Sequence, residues 1–145
     1  MNDLVESLKK AQATTFALYL KAHNFHWNVE GPDFAQYHEF LGDFYAEVFG
    51  AVDTIAELIR TLGAYAPGSL SRFVELSVIE DENSVPKGLV MMSRLYADNQ
   101  RLITLLTDVY NMAEVQNKFG ISNAIQDRIT AHEKHGWMLR SFTKE

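Results

Sequence analysis

The amino-acid sequence predicts an all-α protein, a four-helix bundle with a long crossover between its second and third helices. Two observations support this fold class. Apolar residues recur at three- and four-residue steps in four long segments, as they do on one face of an α-helix. The first and last of the three connections are short, whereas the middle one spans residues 64–84. Short connections join antiparallel neighbours, and a long one can carry the chain to the far end of the bundle.

The first two helices are predicted to form a hairpin. Asp3 is the expected cap of the first helix, and Gly31-Pro32 ends it. Its inner face contains Leu4, Leu8, Ala11, Thr15, Leu18, Ala22, Phe25 and Val29. The second helix begins near Asp33 and closes at Gly63. Its inner face contains Phe34, Tyr37, Leu41, Phe44, Val48, Val52, Ile55, Ile59 and Leu62.

The crossover is predicted to carry one short helix over residues 71–76. The third long helix runs from about Pro86 to about Asn117, and the fourth from a cap at Ser122 to about Phe142. A helix of about 28 residues is roughly 42 Å long, and about 21 extended residues reach up to about 70 Å. The crossover can therefore make the third helix parallel to the second, which is the ferritin-like arrangement. An up-down-up-down bundle would have short loops throughout.

The composition predicts a single domain over residues 1–145 and limits the available chemistry. With 145 residues and 47% apolar content, the chain can bury a sizeable core. It has no cysteine, so any metal must be held by His, Asp or Glu. Its start lacks the layout of a signal peptide, and no apolar run approaches the roughly 20 residues of a membrane span. We therefore expect a cytoplasmic protein with no membrane partner.

Four side chains on the first two helices are candidate metal ligands. His26 and His38 flank the predicted turn, so in an antiparallel hairpin they lie at about the same level. Asp53 and Glu57 are four residues apart and share one helix face, where two carboxylates can converge on a cation. Taken alone, each histidine suits a helix end and the carboxylates suit a solvated face. Their combination favours a metal site, which by ligand type suits iron or zinc.

The four candidate ligands cannot meet within one chain. Asp53 lies 15 residues beyond His38, or roughly 22 Å along the same helix, whereas a metal–ligand bond is roughly 2 Å long. Two chains packed antiparallel about a two-fold axis would bring the histidines of one chain to the carboxylates of the other. We therefore expect a homo-oligomer with the metal site at a dimer interface. No Glu-x-x-His motif is present, so the self-contained di-iron site of many bundles is not expected.

These residues lie within a resemblance to the Dps-type miniferritins that covers nearly the whole chain. The matching segments are KAHNFHWNVEGPDF at 21–34, His38-Glu39, DTIAE at 53–57, YAPGSL at 65–70 and HEKHGWMLR at 132–140. The resemblance implies a hollow shell of twelve subunits that stores ferric mineral and protects against oxidative damage. It also implies Fe(II) oxidation, preferably by hydrogen peroxide and more slowly by oxygen.

The resemblance further implies roles for individual residues. His26 and His38 of one chain would join Asp53 and Glu57 of its two-fold partner as the ferroxidase ligands. Trp27, beside the site, would supply or absorb electrons. Core or interface packing is the alternative role for this tryptophan, because aromatic side chains dominate buried surfaces.

Two features of the chain depart from the family pattern. Many relatives carry an acidic residue four positions after the second histidine, where this chain has Gly42. Asp43, one step later on a face turned by about 100°, is the substitute candidate for a metal ligand. Relatives that compact DNA usually do so with a lysine-rich tail, which is absent here, and the net charge is −6. We therefore expect weak DNA binding or none, with DNA shielding and a zinc staple as alternative functions.

Two further histidine pairs have the spacing of ligands on one helix face. His23 precedes His26 by three residues, and His132 precedes His135 by three. Neither pair has an acidic partner at matching spacing. We therefore expect His23, His132 and His135 to be structural or surface residues.

Overall fold

The computed structural model describes residues 2–144 and consists of four long helices and one short helix. The helices are α1 (Asn2–Asn28), α2 (Phe34–Thr61), α3 (Leu70–Leu76), α4 (Gly88–Val115) and α5 (Phe119–Thr143). No strand occurs among the described residues. The all-α prediction and the short helix within the crossover are therefore confirmed. None of the helices in this range is long and apolar enough to reach across a lipid bilayer.

Two helical hairpins form the bundle. α1 packs along α2, α4 packs along α5, and contacts between α1 and α4 join the two hairpins. All the inner-face positions predicted for the first helix, from Leu4 to Val29, are buried. On the second helix Phe34 is an exception and is exposed, because it starts α2 and its ring stacks on His38 instead of entering the core. The periodic pattern thus identifies the core-facing side of each helix except at its end.

The crossover runs along α1 in the direction of that helix. Four α1 side chains bond to its backbone: Gln12 to Pro67, Thr14 to Val78, Lys21 to Glu80 and Asn24 to Glu82. Because the residue numbers rise together along both segments, the crossover brings the chain back to the turn between α1 and α2. α4 begins there and therefore runs parallel to α2, as the length of the crossover predicted.

Two of the predicted helix starts are wrong by a few residues. Asp3 lies in the first turn of α1 and not before it. Ser122 lies inside α5 and is buried, and its hydroxyl donates a hydrogen bond to Oε2 of Glu114 at 2.9 Å. α5 starts earlier, at Phe119, because Asn117 adopts a left-handed conformation with φ of 59° and reverses the chain within a few residues.

Gly88, the first residue of α4, packs directly against the α1–α2 turn. A methyl group at its Cβ position would lie 2.6 Å from Cε2 of Tyr37 and 3.3 Å from Cγ2 of Val29. We expect Gly88→Ala to lower the free energy of unfolding by about 1–3 kcal/mol, because overpacking displaces the Tyr37 ring. Chemical denaturation measures the loss. Gly120→Ala is the control, since a methyl group there meets nothing within 4 Å; equal stability of the two variants would contradict the close approach.

Candidate metal centre

His26 and His38 form a stacked pair where α1 ends and α2 begins. Their ring centroids are 3.8 Å apart, and the ring planes differ by 16°. Nδ1 of His26 lies 2.8 Å from the backbone carbonyl oxygen of His38, and Nδ1 of His38 lies 2.8 Å from that of His26. Both residues are half-buried. The hairpin thus brings together the two histidines that the sequence predicts at one level.

The reciprocal hydrogen bonds determine which nitrogen of each ring is free. A carbonyl oxygen only accepts, so Nδ1 of each histidine carries a proton and donates it. In the neutral ring the lone pair is then on Nε2, and metal-ligating histidines commonly hold their other N–H against a carbonyl group in this way. The pair therefore offers two nitrogen ligands whose orientation is fixed before any metal binds.

Asp53 and Glu57 lie on the exposed face of α2, opposite the buried Ile55 and Ile59. The neighbouring Asp53 carboxyl raises the pKa of Glu57, first through a hydrogen bond between the two groups and then through charge repulsion. Two carboxylates held this closely repel each other when both are ionised, and a bound cation removes that repulsion. The pair therefore suits a cation that approaches from outside the chain.

One chain holds the two pairs apart. Asp53 follows His38 by 15 residues on α2, which corresponds to roughly 22 Å along the helix. Within residues 2–144, no group of three or more His, Asp or Glu side chains is close enough together to hold a metal ion. Within one chain the imidazole pair and the carboxylate pair are therefore separate.

The chain is similar to ferritin-like proteins over nearly its whole length. Residues 5–145 match the Ferritin family, described as a ferritin-like domain. Antigen TpF1 of Treponema pallidum is 33% identical over 142 residues, which cover 97% of this chain and 80% of that protein. DNA protection during starvation protein 2 of Bacillus anthracis is 30% identical over 142 residues, covering 98% of this chain and 97% of the relative. The chain belongs to the Dps-type miniferritins.

Solved structures of related proteins share the fold of this miniferritin. The crystal structure of antigen TpF1 gives a TM-score of 0.96 at 32% identity and covers 99% of this chain and 93% of that one. Dps from Vibrio cholerae O1 gives a TM-score of 0.95 at 26% identity and covers 99% of this chain and 90% of that one. It is described as a member of a broad superfamily of ferritin-like diiron-carboxylate proteins. The resemblance predicted from the sequence is confirmed, and membership of this superfamily implies iron binding.

Trp27 follows His26 directly and is 59% exposed, so it does not belong to the core of this miniferritin chain. Its ring centroid lies 3.9 Å from that of His23, which stacks on Tyr45 at 3.8 Å. The hydroxyl oxygen of Tyr19 lies 3.0 Å from Nδ1 of His23. Desolvation lowers the pKa of His23, and the nearby His26 lowers it further. His23 thus forms part of an aromatic stack that links the exposed Trp27 to the bundle.

Gly42 lies beside the histidine pair. A Cβ atom at this position would be 3.2 Å from Cε1 of His26, so an acidic side chain here would require that ring to shift by a few tenths of an ångström. Asp43 instead lines a cleft of about 460 Å³ between α2 and α5, together with Glu47 and His135. The structure thus places Gly42, and not Asp43, next to His26.

A second polar group lies where α2, α4 and α5 meet, and we call it the Glu47 cluster: Glu47, Arg128, His132 and His135. Glu47 accepts hydrogen bonds from both terminal nitrogens of Arg128 and from Nε2 of His135, the last at 2.8 Å. His132 is fully buried, with its Nε2 3.0 Å from Nη2 of Arg128. The hydrogen bond from His135 and the Arg128 charge hold the pKa of Glu47 well below its usual range.

The acidic member of this cluster was not predicted from the sequence. Residue spacing reveals partners on the same helix as His132 and His135, whereas Glu47 is 88 residues away from His135, on α2. The available signal was the position of Glu47 between Phe44 and Val48, at the edge of an apolar helix face. A charged residue at such an edge lies within reach of the neighbouring helix, although the pattern does not identify the partner.

Burial lowers the pKa of His132 well below its ordinary value, and the charges of Arg128 and His135 add to this effect. The unfolded chain takes up a proton at this histidine below about pH 6.5, which the folded chain does not. The free energy of unfolding should therefore fall as the pH drops below about 6.5, by up to about 1.4 kcal/mol per pH unit. We expect His132→Gln to lose less stability than the wild type between about pH 7 and pH 5 in chemical denaturation. Equal losses of stability in the wild type and in His132→Gln would show that another group causes the pH dependence.

Proposed function

We propose that this miniferritin is a ferroxidase that oxidises Fe(II) to Fe(III) at sites shared between two chains and stores the product as ferric mineral in a hollow shell. The observation that carries the proposal is the reciprocal hydrogen bonding of His26 and His38, which leaves two Nε2 lone pairs side by side. Imidazole and carboxylate ligands together suit iron, and open positions on such a site suit redox chemistry of Fe(II).

The other half of each site would come from Asp53 and Glu57 of the partner subunit. Antiparallel packing of two α1–α2 hairpins sets the histidine end of each chain against the middle of α2 in the other, which makes two equal sites per dimer. The two exposed carboxylates repel each other when both are ionised, and this repulsion favours the binding of a metal cation between them. Trp27, exposed beside His26, would lie in the same interface, where it can pack and can exchange electrons with the site.

Iron is the substrate in the proposed reaction. Imidazoles suit the borderline Fe(II) ion, whereas carboxylates favour hard Fe(III), so the ligand set stabilises the product as well as the reactant. Two Fe(II) ions give one electron each to hydrogen peroxide, whose O–O bond breaks and which takes up two protons to yield two molecules of water. Because both electrons are used at one site, no hydroxyl radical is released, and this is the protective role that we propose. Oxygen would be the slower oxidant.

We further propose that the shell contains twelve subunits, as the resemblance implies, and that it acts in the cytoplasm. Several large apolar side chains are exposed on the single chain, among them Phe49, Val74, Val115 and Phe119. Exposed apolar area of this kind is typical of surfaces that assemble with other chains. The mass of the native particle tests the subunit number.

Reassembly of two inactive variants tests whether the site is shared. His26→Ala/His38→Ala keeps both carboxylates, and Asp53→Ala/Glu57→Ala keeps both histidines. In a mixed dimer, one of the two sites has all four ligands and the other has none. After dissociation and random reassembly of equal amounts, half of the dimers are mixed. We therefore expect about one quarter of the wild-type rate of peroxide-driven Fe(II) oxidation.

Each variant alone, taken through the same dissociation and reassembly, is the control and should stay inactive. Intact mixed shells that recover no activity would contradict a site shared between chains. Full activity of either variant alone would place the chemistry elsewhere in the molecule.

DNA shielding by the shell is the alternative function, and a zinc staple at the shared site is a third. The name of the Bacillus anthracis relative refers to DNA protection. The net charge of −6, however, disfavours contact with a polyphosphate, so we expect weak DNA binding or none. Retention of intact shells on duplex DNA at physiological salt, without iron oxidation, would favour shielding. Zinc bound at the shared site without iron turnover would favour the staple.

A further inference from the structure

The Glu47 cluster has the donor groups of a metal site but is arranged around a guanidinium group. Nη2 of Arg128 lies 2.9 Å from Oε1 of Glu47 and 3.0 Å from Nε2 of His132. Nε2 of His135 lies 2.8 Å from the same Glu47 oxygen. One carboxylate and two imidazoles are ligands that suit borderline divalent ions such as Zn(II) and Co(II). In this chain a positive charge is already present among them.

Asn99 on α4 determines the tautomer of His132. The amide nitrogen of Asn99 donates to the backbone carbonyl of His132 at 2.8 Å, so the amide oxygen faces Nδ1 of the same histidine, 2.9 Å away. An amide oxygen only accepts, so Nδ1 carries the ring proton and Nε2 carries the lone pair. That lone pair points at the guanidinium as it would point at a metal ion. The bond to Asn99 is the kind of outer contact that orients a metal-ligating histidine.

The terminal nitrogen of Arg128 occupies the place that a metal ion would take. Its distances of 2.9 and 3.0 Å to the two donors exceed zinc–ligand bonds by about 1 Å, so each donor would move by about that much to bind a metal. In their present positions the three donors do not form a metal site, in agreement with the lack of any metal-binding group of three within residues 2–144. Arg128 also matches the position poorly, because its buried Nε has no hydrogen-bond partner among the described residues.

A cleft gives ions access to the cluster. The cleft of about 460 Å³ between α2 and α5 is lined by Asp43, Glu47, Lys134 and His135, among others. The side chain of Glu47 is 40% exposed, whereas that of Arg128 is 10% exposed. Glu47 can therefore meet an ion from solvent without unfolding of the bundle.

We infer that Glu47, His132 and His135 form a second metal site, within one subunit, that Arg128 keeps closed by acting as its resident cation. The site would take one borderline divalent ion, and His135 would release to solvent the Nε2 proton that it now donates to Glu47. It is separate from the proposed site at the dimer interface. The guanidinium neutralises Glu47 and occupies the lone pair of His132, so divalent ions are excluded from this position. Removal of the guanidinium opens the site.

Co(II) binding to Arg128→Ala tests this inference through the visible absorption of the bound ion. All proteins in the test carry Asp53→Ala/Glu57→Ala, so that the interface site does not contribute. In this background we expect Arg128→Ala to bind one more Co(II) per chain than its parent at micromolar Co(II). Added Zn(II) should displace this extra Co(II). Addition of His132→Ala should abolish the extra equivalent.

Arg128→Gln is the second variant, because it removes the guanidinium charge but leaves more of the buried side chain in place than alanine does. We expect Arg128→Gln also to bind one more Co(II) per chain than its parent. A variant that folds only when Zn(II) is added would likewise support the inference. The inference is overturned if the folded variants bind no more Co(II) than the parent, or if the extra Co(II) remains after His132→Ala. Failure of both variants to fold even with Zn(II) would also overturn it, since the metal should replace the missing cation.

Discussion

Replacement of Asp53 and Glu57 by alanine is expected to lower the rate of peroxide-driven Fe(II) oxidation by at least about 100-fold. Loss of a group that merely orients a metal ligand already costs about 10- to 100-fold, and these carboxylates are the proposed ligands themselves. Both side chains are exposed on α2, so the folded chain loses no core packing. Their removal also ends the hydrogen bond and the charge repulsion between the two carboxyl groups, which together raise the pKa of Glu57 in the wild type. We therefore expect the fold to persist in this variant.

Anaerobic loading with Fe(II) followed by a peroxide pulse measures this effect through the ferric absorbance. Particle mass is measured on the same samples, because a broken shell would lower the rate for a different reason. Glu6→Ala/Glu75→Ala is the matched control, since it removes two exposed carboxylates with the same change in charge. It should oxidise iron at the wild-type rate. Equal, slow oxidation by the wild type and by Asp53→Ala/Glu57→Ala would mean that the fold exists without the ferroxidase chemistry.

The placement of the histidine pair could be predicted from the sequence because it follows from a local rule. Gly31 adopts φ of 114°, which suits a glycine, and the chain reverses there with His26 and His38 at similar distances from the turn. The reciprocal hydrogen bonds could not be predicted in the same way. The carbonyl of His26 is one of the last four of α1, which have no partner within the helix, and it is satisfied by a side chain of the next helix.

The periodic pattern of apolar residues could not predict contacts between helices that are distant in sequence. That pattern identifies the inner face of a helix but not the residue that this face will meet. Glu47 and Arg128 are separated by 81 residues, and Lys21 and Asp98 by 77. Similarly, Asp43 is close to the histidines in sequence, but the helical turn directs it to α5. The placement of the two pairs, His26 with His38 and Asp53 with Glu57, could be predicted, whereas the polar groups that join the helices could not.

Lys21 and Asp98 form a buried ion pair between α1 and α4, and loss of the lysine charge is expected to destabilise the fold strongly. Nζ of Lys21 lies 2.7 Å from Oδ2 of Asp98, and the two side chains are only 8% and 5% exposed. The same Nζ donates to the Glu80 carbonyl and so ties the crossover to α1. We expect Lys21→Met to lower the free energy of unfolding by about 3–5 kcal/mol, because Asp98 stays buried without its main partner. Chemical denaturation measures the change.

Lys21→Met/Asp98→Leu separates the loss of the pair from the burial of an uncompensated charge. Replacement of both partners by apolar groups of similar size is often close to neutral, so we expect the double variant to be more stable than Lys21→Met alone. Glu75→Ala is the control, because its ion pair with Arg72 is exposed and contributes about 0–1 kcal/mol. Wild-type stability of Lys21→Met would mean that Arg101, 3.0 Å from Oδ1 of Asp98, is a sufficient partner. A double variant less stable than Lys21→Met would instead mean that Asp98 stabilises α4 through Arg101 even without the lysine.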